Sequence, residues 1–396
     1  MAQFSFDIQK TDSQTAARVG LIKTRRGTIQ TPHFVSVATR GSLRGLDSQD
    51  LENLQLECAL TNTYHLFLRP GLEVLKKAGG IQGFMNFDKP FFSDSGGFQA
   101  FSLGLGMNQM ISKFGSTQKT TQKQVDQHAK LTEDGIHFKS VYDGTWHFFG
   151  PKESMHIQSV IGSEMIMAFD ECTPPGVSYE YAKESLKRTH RWELESLKHK
   201  DPKQALYGII QGGEHRDLRE ESTRFVLSQP FEGIAIGGSF GTEKVNDFQT
   251  VLSWITPLLD DRPRHLLGIG DVENIFDGVS MGVDTFDCVS PTRNARRGSL
   301  YVSPENGGSV KNKFHINIDG SKYKSDMGPI DSNCSCIVCQ KYSRAYLRHL
   351  HRIKDLSYHK LATIHNVHFM QELMRTIRQS IHDGTFLELR KKWIGR

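Results

Sequence analysis

Short apolar runs recur along most of the chain, each bounded by polar or glycine-rich stretches. Eight read as strands: His33–Val37, Cys58–Thr61, Phe91–Ser93, Met165–Phe169, Leu206–Ile210, Ile234–Ile236, His265–Leu267 and Thr285–Phe286. Between several of them apolar residues fall at helical spacing, as in Tyr181–Lys198 and Asp217–Ser228. Short strands without alternation are buried on both faces, and helices between them imply parallel pairing. Eight such units predict a closed (β/α)8 barrel, although a doubly wound open sheet gives similar strings.

The residues just beyond each run sharpen that choice. The third run leads into Asp94-Ser95-Gly96-Gly97-Phe98-Gln99, the fourth into Asp170-Glu171-Cys172, and the fifth into Gln211-Gly212-Gly213. The sixth ends at Gly237-Gly238, the seventh at Gly268-Ile269-Gly270-Asp271, and the eighth at Asp287-Cys288. A single glycine after a strand serves the turn alone. Six polar and glycine clusters at strand ends instead match the face where a barrel assembles its active site.

Two segments break the rhythm. Gly104–Lys130 is a polar insertion with five glutamines, read either as a lid or as a tolerated surface loop. Ser299–Ile330 is rich in Gly, Ser, Asn and Lys and leads into a cysteine cluster. The expected organisation is a catalytic barrel over residues 1–298, then a metal-binding subdomain with closing helices over 299–396.

Charge divides at the same place. From Pro291 to Arg396 there are nineteen Lys and Arg against eight Asp and Glu, whereas the first 290 residues carry 30 against 36. A basic last quarter on an acidic body points to an anionic polymer, because cations that neutralise phosphates gain from counterion release. No run approaches eighteen apolar residues, so no membrane partner is expected. The start, Met1–Asp7, lacks a basic segment followed by an apolar one, and the six cysteines do not form a disulfide framework. A cytoplasmic location is the expectation.

Cys334-x-Cys336-x2-Cys339 has the spacing of three thiolates at corners of a zinc tetrahedron. His349, His351, His359, His365 and His368 all remain available as the fourth ligand. Four protein ligands would make the site structural. Asp94, Asp170 and Asp287 stand at strand ends, where one alternative use is helix N-capping. Converging on one mouth, one carboxylate can attack an anomeric carbon while a second moves the proton. A third can accept paired donors from a purine edge, with Gln211 and the N–H groups near Gly238 completing the reading. Arg293, Arg296 and Arg297 follow the eighth strand, and with Gly268–Asn274 they form a candidate phosphate cradle. The isolated tryptophans at 146, 192, 254 and 393 read as packing residues rather than base-stacking platforms.

These segments resemble the tRNA-guanine transglycosylase family. The resemblance is carried by Ser93–Gln99, Phe169-Asp170-Glu171-Cys172-Thr173-Pro174, Gln211-Gly212-Gly213 and Phe286-Asp287-Cys288-Val289-x-Pro291-Thr292-Arg293. Asn62-Thr63-Tyr64-His65-Leu66 and Ala362-Thr363-Ile364-His365-Asn366 extend it, and it runs from about Gly27 to Ile381. The resemblance implies a barrel with a zinc subdomain that exchanges guanine at the tRNA wobble position for a deazaguanine, preQ1 or queuine. Asp287 is then the nucleophile and Asp94 the proton donor and acceptor. Ser95, Gly96, Gly97, Phe98, Gln99, Asp170, Gln211 and Gly238 join Asp94 around the base. Gly268, Ile269, Gly270, Asp271, Val272, Glu273 and Asn274, with Thr292, Arg293, Asn294, Ala295 and Arg296, match the tRNA-contacting loops. Cys334, Cys336, Cys339 and His365 match the ligands of one structural zinc ion per chain, and no organic cofactor is implied. The family is typically dimeric, so a homodimer is expected.

The chain departs from the bacterial pattern in three places. Gly-Gly-Leu-Ala-Val-Gly-Glu becomes Gly237-Gly238-Ser239-Phe240-Gly241-Thr242-Glu243, Arg297 replaces an asparagine, and Gly104–Lys130 is an addition. Gly241 resembles members that take bulkier queuine, whereas Cys172 is the bacterial residue, so the cues for the incoming base divide. A catalytically silent tRNA-binding partner subunit is the rival reading; keeping all three aspartates argues against it. A metal-dependent hydrolase would need a histidine cluster at the strand ends, which the sequence does not supply.

Overall fold

The computed structural model describes residues 4–104, 129–238 and 248–396. Nearly all of the polar insertion at 104–130 lies outside the described residues, as does Ser239–Glu243. A three-stranded antiparallel sheet comes first: β1 (Phe4–Thr11), β2 (Arg18–Thr24) and β3 (Gly27–Thr31). The first barrel strands follow as β4 (His33–Val37), β5 (Ala59–Thr61) and β6 (Phe91–Ser93). A second antiparallel sheet intervenes, made of β7 (Ala129–Leu131), β8 (Ile136–Lys139) and β9 (Trp146–Phe149). The barrel resumes with β10 (Met165–Met167), β11 (Ala205–Ile210), β12 (Gly233–Ile236), β13 (Arg264–Leu266) and β14 (Thr285–Cys288). These eight pair in parallel and in chain order, β14 closing on β4. The structure is the expected closed (β/α)8 barrel.

The strands are continuous apolar runs because both faces are covered. Val35, Leu60, Phe92, Met167, Tyr207, Ile209 and Ala235 fill the interior, while Ile166, Ile210, Ile234 and Phe286 pack outward against helices. The sheet β1–β3, unforeseen from the sequence, stoppers the end where the strands begin: Ile22 and Ile29 join the interior cluster with Phe4 and Phe6 against it. The other end, where the strands finish, carries a cavity. The helix Tyr179–His199 begins where Ser178 Oγ accepts the Tyr181 N–H at 3.2 Å. Glu180 in its first turn and Lys198 and His199 in its last complement the helix dipole.

After β14 a short helix, Ser290–Ala295, leads to the two-stranded ladder of β15 (Ser299–Tyr301) and β16 (His315–Asn317). The cysteine segment follows, and then the helix Leu356–Asp383 returns to the barrel. Phe369, Met370, Leu373, Met374 and Ile377 share one core with Phe34, Ile236 and Phe286. Gln371 donates to Phe34 O at 3.0 Å and Arg378 to Pro32 O at 2.7 Å, so this helix flanks β4. The cysteine segment therefore sits between the last barrel strand and the long helix packed on the first. Trp192 packs on Phe169, as a packing residue should, but Trp146 is 51% exposed with the Lys139 ammonium over its ring, against expectation. It lies on an edge strand of the small β7–β9 sheet.

Candidate active site

A cavity of about 370 Å³ opens at the strand C-terminal ends, and Asp94, Asp170 and Asp287 all line it. Neither Asp170 nor Asp287 caps the helix that follows it: the helix beyond Asp170 is capped by Ser178, and the one beyond Asp287, Ser290–Ala295, has Val289 at its N-cap and no side-chain cap.

Asp94 follows β6 and leans on the neighbouring loop. Its Oδ1 accepts the Thr63 N–H at 2.9 Å, and its Oδ2 accepts from Asn62 Nδ2. Asn62 is itself the N-cap of the helix Thr63–Leu68, its Oδ1 accepting the His65 N–H at 2.9 Å. The Asn62-Thr63-Tyr64-His65 stretch thus shapes a helix start whose spare donors hold a carboxylate from the next strand. Burial raises the Asp94 carboxyl to about 7, with the Asp287 charge adding to the rise and the Thr63 and Asn62 donors opposing it. A carboxyl poised there can give up and take back a proton near neutral pH.

Asp287 lies on β14 itself, which runs two residues beyond the expected end. Its Oδ1 accepts the Gly268 N–H at 2.7 Å, and His265 Nε2 stands 3.3 Å from the same oxygen. Gly268, expected to face RNA phosphate, directs its N–H at this carboxylate.

Asp170 is buried. Its Oδ1 accepts the Ser95 hydroxyl at 3.2 Å and its Oδ2 the Gln211 amide at 2.7 Å. Beneath it Glu193, wholly buried on Tyr179–His199, accepts the Ile209 N–H, and burial pushes its carboxyl well up. Phe98, Gln99, Cys172 and Gly238 complete this side of the cavity. Gly96 and Gly97 stand behind it; Gly96 has φ +78°, and a Cβ there would meet Tyr64 N at 3.1 Å.

Arg219, which the sequence did not single out, is fully buried beneath the two glycine loops. Its Nε donates to Gly213 O at 2.8 Å, and its Nη1 to Ile210 O at 3.0 Å and Gly237 O at 2.8 Å. A Cβ on Gly238 (φ +118°) would lie 2.3 Å from Arg219 Nη2, so the glycine and the guanidinium require one another. An arginine following a glycine turn in Asp217-Leu218-Arg219 was the available signal. His265 was also passed over, though a histidine in an otherwise apolar strand is a buried polar group in need of partners.

The two candidate RNA loops separate by burial. Arg293 is exposed and lines the cavity, and Arg297 is exposed nearby. Arg296 Nη1 donates to Thr292 O at 2.7 Å, and Asn294 bonds His315 at 3.2 Å. Thr292, Ala295, Ile269, Gly270 and Val272 are buried, and Glu273 pairs with Arg396. Asp271 and Asn274 are partly exposed at the start of the helix Val272–Ser280.

Away from the mouth, Cys334, Cys336, Cys339 and His365 gather with their ligand atoms within 4.8 Å of one another, a group that can hold a metal ion. His365 Nδ1 lies 3.8, 3.5 and 3.4 Å from the three sulfurs in that order. Those separations suit the edges of a tetrahedron with zinc–sulfur bonds of about 2.3 Å. His365 Nε2 contacts Tyr301 O at 2.8 Å, which leaves Nδ1 as the nitrogen available to a metal. Of the five candidate histidines, His365 is the one in the group.

The family model described as queuine tRNA-ribosyltransferase matches residues 12–396. A putative queuine tRNA-ribosyltransferase of Archaeoglobus fulgidus is 49% identical over 389 residues, covering 96% of each chain. A queuine tRNA-ribosyltransferase of Roseiflexus sp. is 41% identical over 404 residues, 99% of each. One from Thermoanaerobacter pseudethanolicus is 39% identical over 396 residues, 99% of this chain and 97% of the relative.

Proposed function

The chain belongs to the queuine tRNA-ribosyltransferase family and is a pentosyl-transferring enzyme of the tRNA-guanine transglycosylase kind, and from that premise we propose how its residues divide the work. The substrate is a tRNA whose anticodon wobble base is guanine, as in the GUN anticodons for Asp, Asn, His and Tyr. The incoming base is a deazaguanine, preQ1 or queuine. An unpaired anticodon base leaves its stack cheaply, which lets the cavity receive it.

Asp287 attacks ribose C1′ and Asp94 protonates the departing guanine. Asp94 then removes the proton from the incoming base as that base displaces the carboxylate. Two displacements retain the sugar's configuration and divide one hard exchange into two easier steps. Asp170, with Ser95 and Gln211 bonded to it, reads the purine edge; Gly96, Gly97, Phe98, Gln99 and Gly238 shape the pocket. Arg293 and its neighbours, with the 268–274 loop, guide the RNA backbone.

The observation that carries this reading is one cavity holding two differently treated carboxyls. Asp94 is raised to about 7 by burial and then by the charge of Asp287, while Asp287 is held by a backbone N–H. Pairs of carboxyls whose surroundings set them apart are the usual mark of an acid–base and nucleophile division.

Zinc is the metal this donor set suits: three thiolates and one imidazole, all from protein, supply a closed structural site. Cys334, Cys336, Cys339 and His365 would tie the cysteine segment to the long helix. A homodimer belongs to the same reading, supported by Ile337 beside the cysteines, Tyr346 and Ile353 on the helix Arg344–Arg352 and at its end, and Leu356 at the start of the long helix, all exposed. So does a cytoplasmic site of action; among the described residues no helix is long and apolar enough to cross a membrane.

The test is covalent capture. Enzyme mixed with cognate tRNA and quenched in denaturant should show a slow-migrating adduct, and Asp287→Ala should abolish it. An undiminished adduct in that variant would refute the nucleophile.

A further inference from the structure

His265 is wholly buried inside the barrel, its ring stacked on Phe92 with centroids 5.2 Å apart. Phe92 lies two residues before Asp94, so the imidazole sits under the floor of the cavity, between the strands bearing the two carboxyls. On β13 and β14, His265 pairs with Thr285. Thr285 and Asp287 are two apart and face the same side of their strand. The ring meets both: Nδ1 lies 2.9 Å from Thr285 Oγ1, and Nε2 3.3 Å from Asp287 Oδ1.

Burying an imidazole among apolar side chains is costly unless its nitrogens find partners. Nδ1 has the threonine hydroxyl. Nε2 is buried and has no aligned hydrogen-bond partner among the described residues, its contact with Oδ1 being short but poorly aligned. A carboxylate accepts only, so Nε2 is the nitrogen that carries hydrogen toward it, and Thr285 Oγ1 donates to Nδ1. At 3.3 Å, Oδ1 lies within reach of that N–H.

We propose that His265 is a positioning residue that acts through Asp287. It restrains Oδ1 together with the Gly268 N–H, so that Oδ2 forms the bond to the sugar and Oδ1 becomes the carbonyl oxygen of the glycosyl ester. This rests on the reading of Asp287 as nucleophile. In the first half-reaction an Oδ2 electron pair bonds C1′, the C1′–N9 bond breaks, its pair stays on guanine, and guanine takes the Asp94 proton. In the second, the incoming base gives its N9 proton to Asp94 and its electron pair to C1′, and the C1′–Oδ2 pair returns to Asp287. Negative charge then reappears on the carboxylate, where the two donors at Oδ1 stabilise it. The donors therefore favour breakdown of the ester over its formation.

The measurements are the rates of adduct formation and of adduct discharge by excess guanine, on the full chain with its metal, for wild type and four variants. His265→Phe keeps the stacked ring and removes both nitrogens. Its discharge should slow about tenfold or more, as befits a hydrogen bond to a charged group, with formation undiminished and adduct accumulating at steady state. His265→Gln, which restores an N–H, should recover part of the discharge rate. Thr285→Val, which frees the ring tautomer, should give the same signature at smaller amplitude and serves if His265→Phe does not fold. Wild-type discharge in His265→Phe, or in Thr285→Val if that must stand in, overturns the proposal. So does an equal fall in both half-reactions, the mark of a merely structural role. Asp287→Asn separates the two levels: an adduct in that variant sinks the nucleophile reading itself, whereas its absence upholds that reading, and the role of His265 then stands or falls on the discharge rates.

Discussion

On the proposed division of work Asp94 must carry a proton to expel guanine, so the rate of adduct formation reports its titration. Burial raises this carboxyl from 3.8 to about 7, the Asp287 charge adds to the rise, and the Thr63 and Asn62 donors pull the other way. The sign is direct: below 7 the acid is loaded, above 7 it is not. With that midpoint the protonated fraction falls from about 0.9 at pH 6 to about 0.1 at pH 8, a loss of about tenfold in rate. Single-turnover mixing of enzyme with cognate tRNA, quenched on a denaturing gel across that range, measures it. Asn62→Ser supplies an internal check. Serine still caps the helix Thr63–Leu68 but no longer donates to Asp94, so the fall should move to higher pH by up to about one unit. Formation that is flat or rising from pH 6 to 8, or a midpoint displaced downward in Asn62→Ser, would show that Asp94 is not the proton donor.

Three other outcomes are expected. Asp170→Asn should raise KM for guanine about tenfold or more with a smaller change in kcat, because an amide cannot accept from both Ser95 and Gln211; base-exchange kinetics with labelled guanine check this. Arg219→Lys should lower the thermal midpoint and raise KM for the base, since an ammonium cannot span the Gly213, Ile210 and Gly237 carbonyls at once; calorimetry and exchange assays read the two effects. Atomic absorption should find one zinc per chain, and removing it with a strong chelator should lower the melting temperature, as should His365→Ala.

All eight barrel strands were legible because parallel strands covered on both faces leave unbroken apolar runs, and their ends fell within two residues of the observed ones. The sheet β1–β3 was not: β1, Phe-Ser-Phe-Asp-Ile-Gln-Lys-Thr, is exposed over its second half and carries a weak alternation instead of a run. The aspartates at strand ends were legible as a set, since barrel closure brings strand ends together wherever they fall in the chain. Their partners were not. Asp94 is held by a helix start on the neighbouring loop but about thirty residues before it in the chain, and nothing in either segment's pattern announces that pairing. The metal group was legible in its cysteines, which are local, and ambiguous in its histidine, which arrives on a helix folded back from elsewhere.

That difference has a physical basis that bears on how the enzyme works. Contacts that recur with the period of a strand leave a trace in composition, whereas contacts between loops depend on register. In this barrel the proposed chemistry rests on the second kind. The helix start at Asn62–Thr63 bonds the carboxyl after β6, and the backbone of Gly268 bonds the carboxylate of β14. Arg219 ties the loop after β11 to the one after β12. Each group proposed as catalytic or base-reading is therefore held by a strand or loop other than its own. The strands must be in correct register all the way round before any one of these contacts can form. A slip of one residue in β14 would turn Asp287 away from both Gly268 and His265 and put Phe286 in its place. Closure of the barrel, through the pairing of β14 with β4 and the long helix beside it, is accordingly a condition of activity as well as of stability.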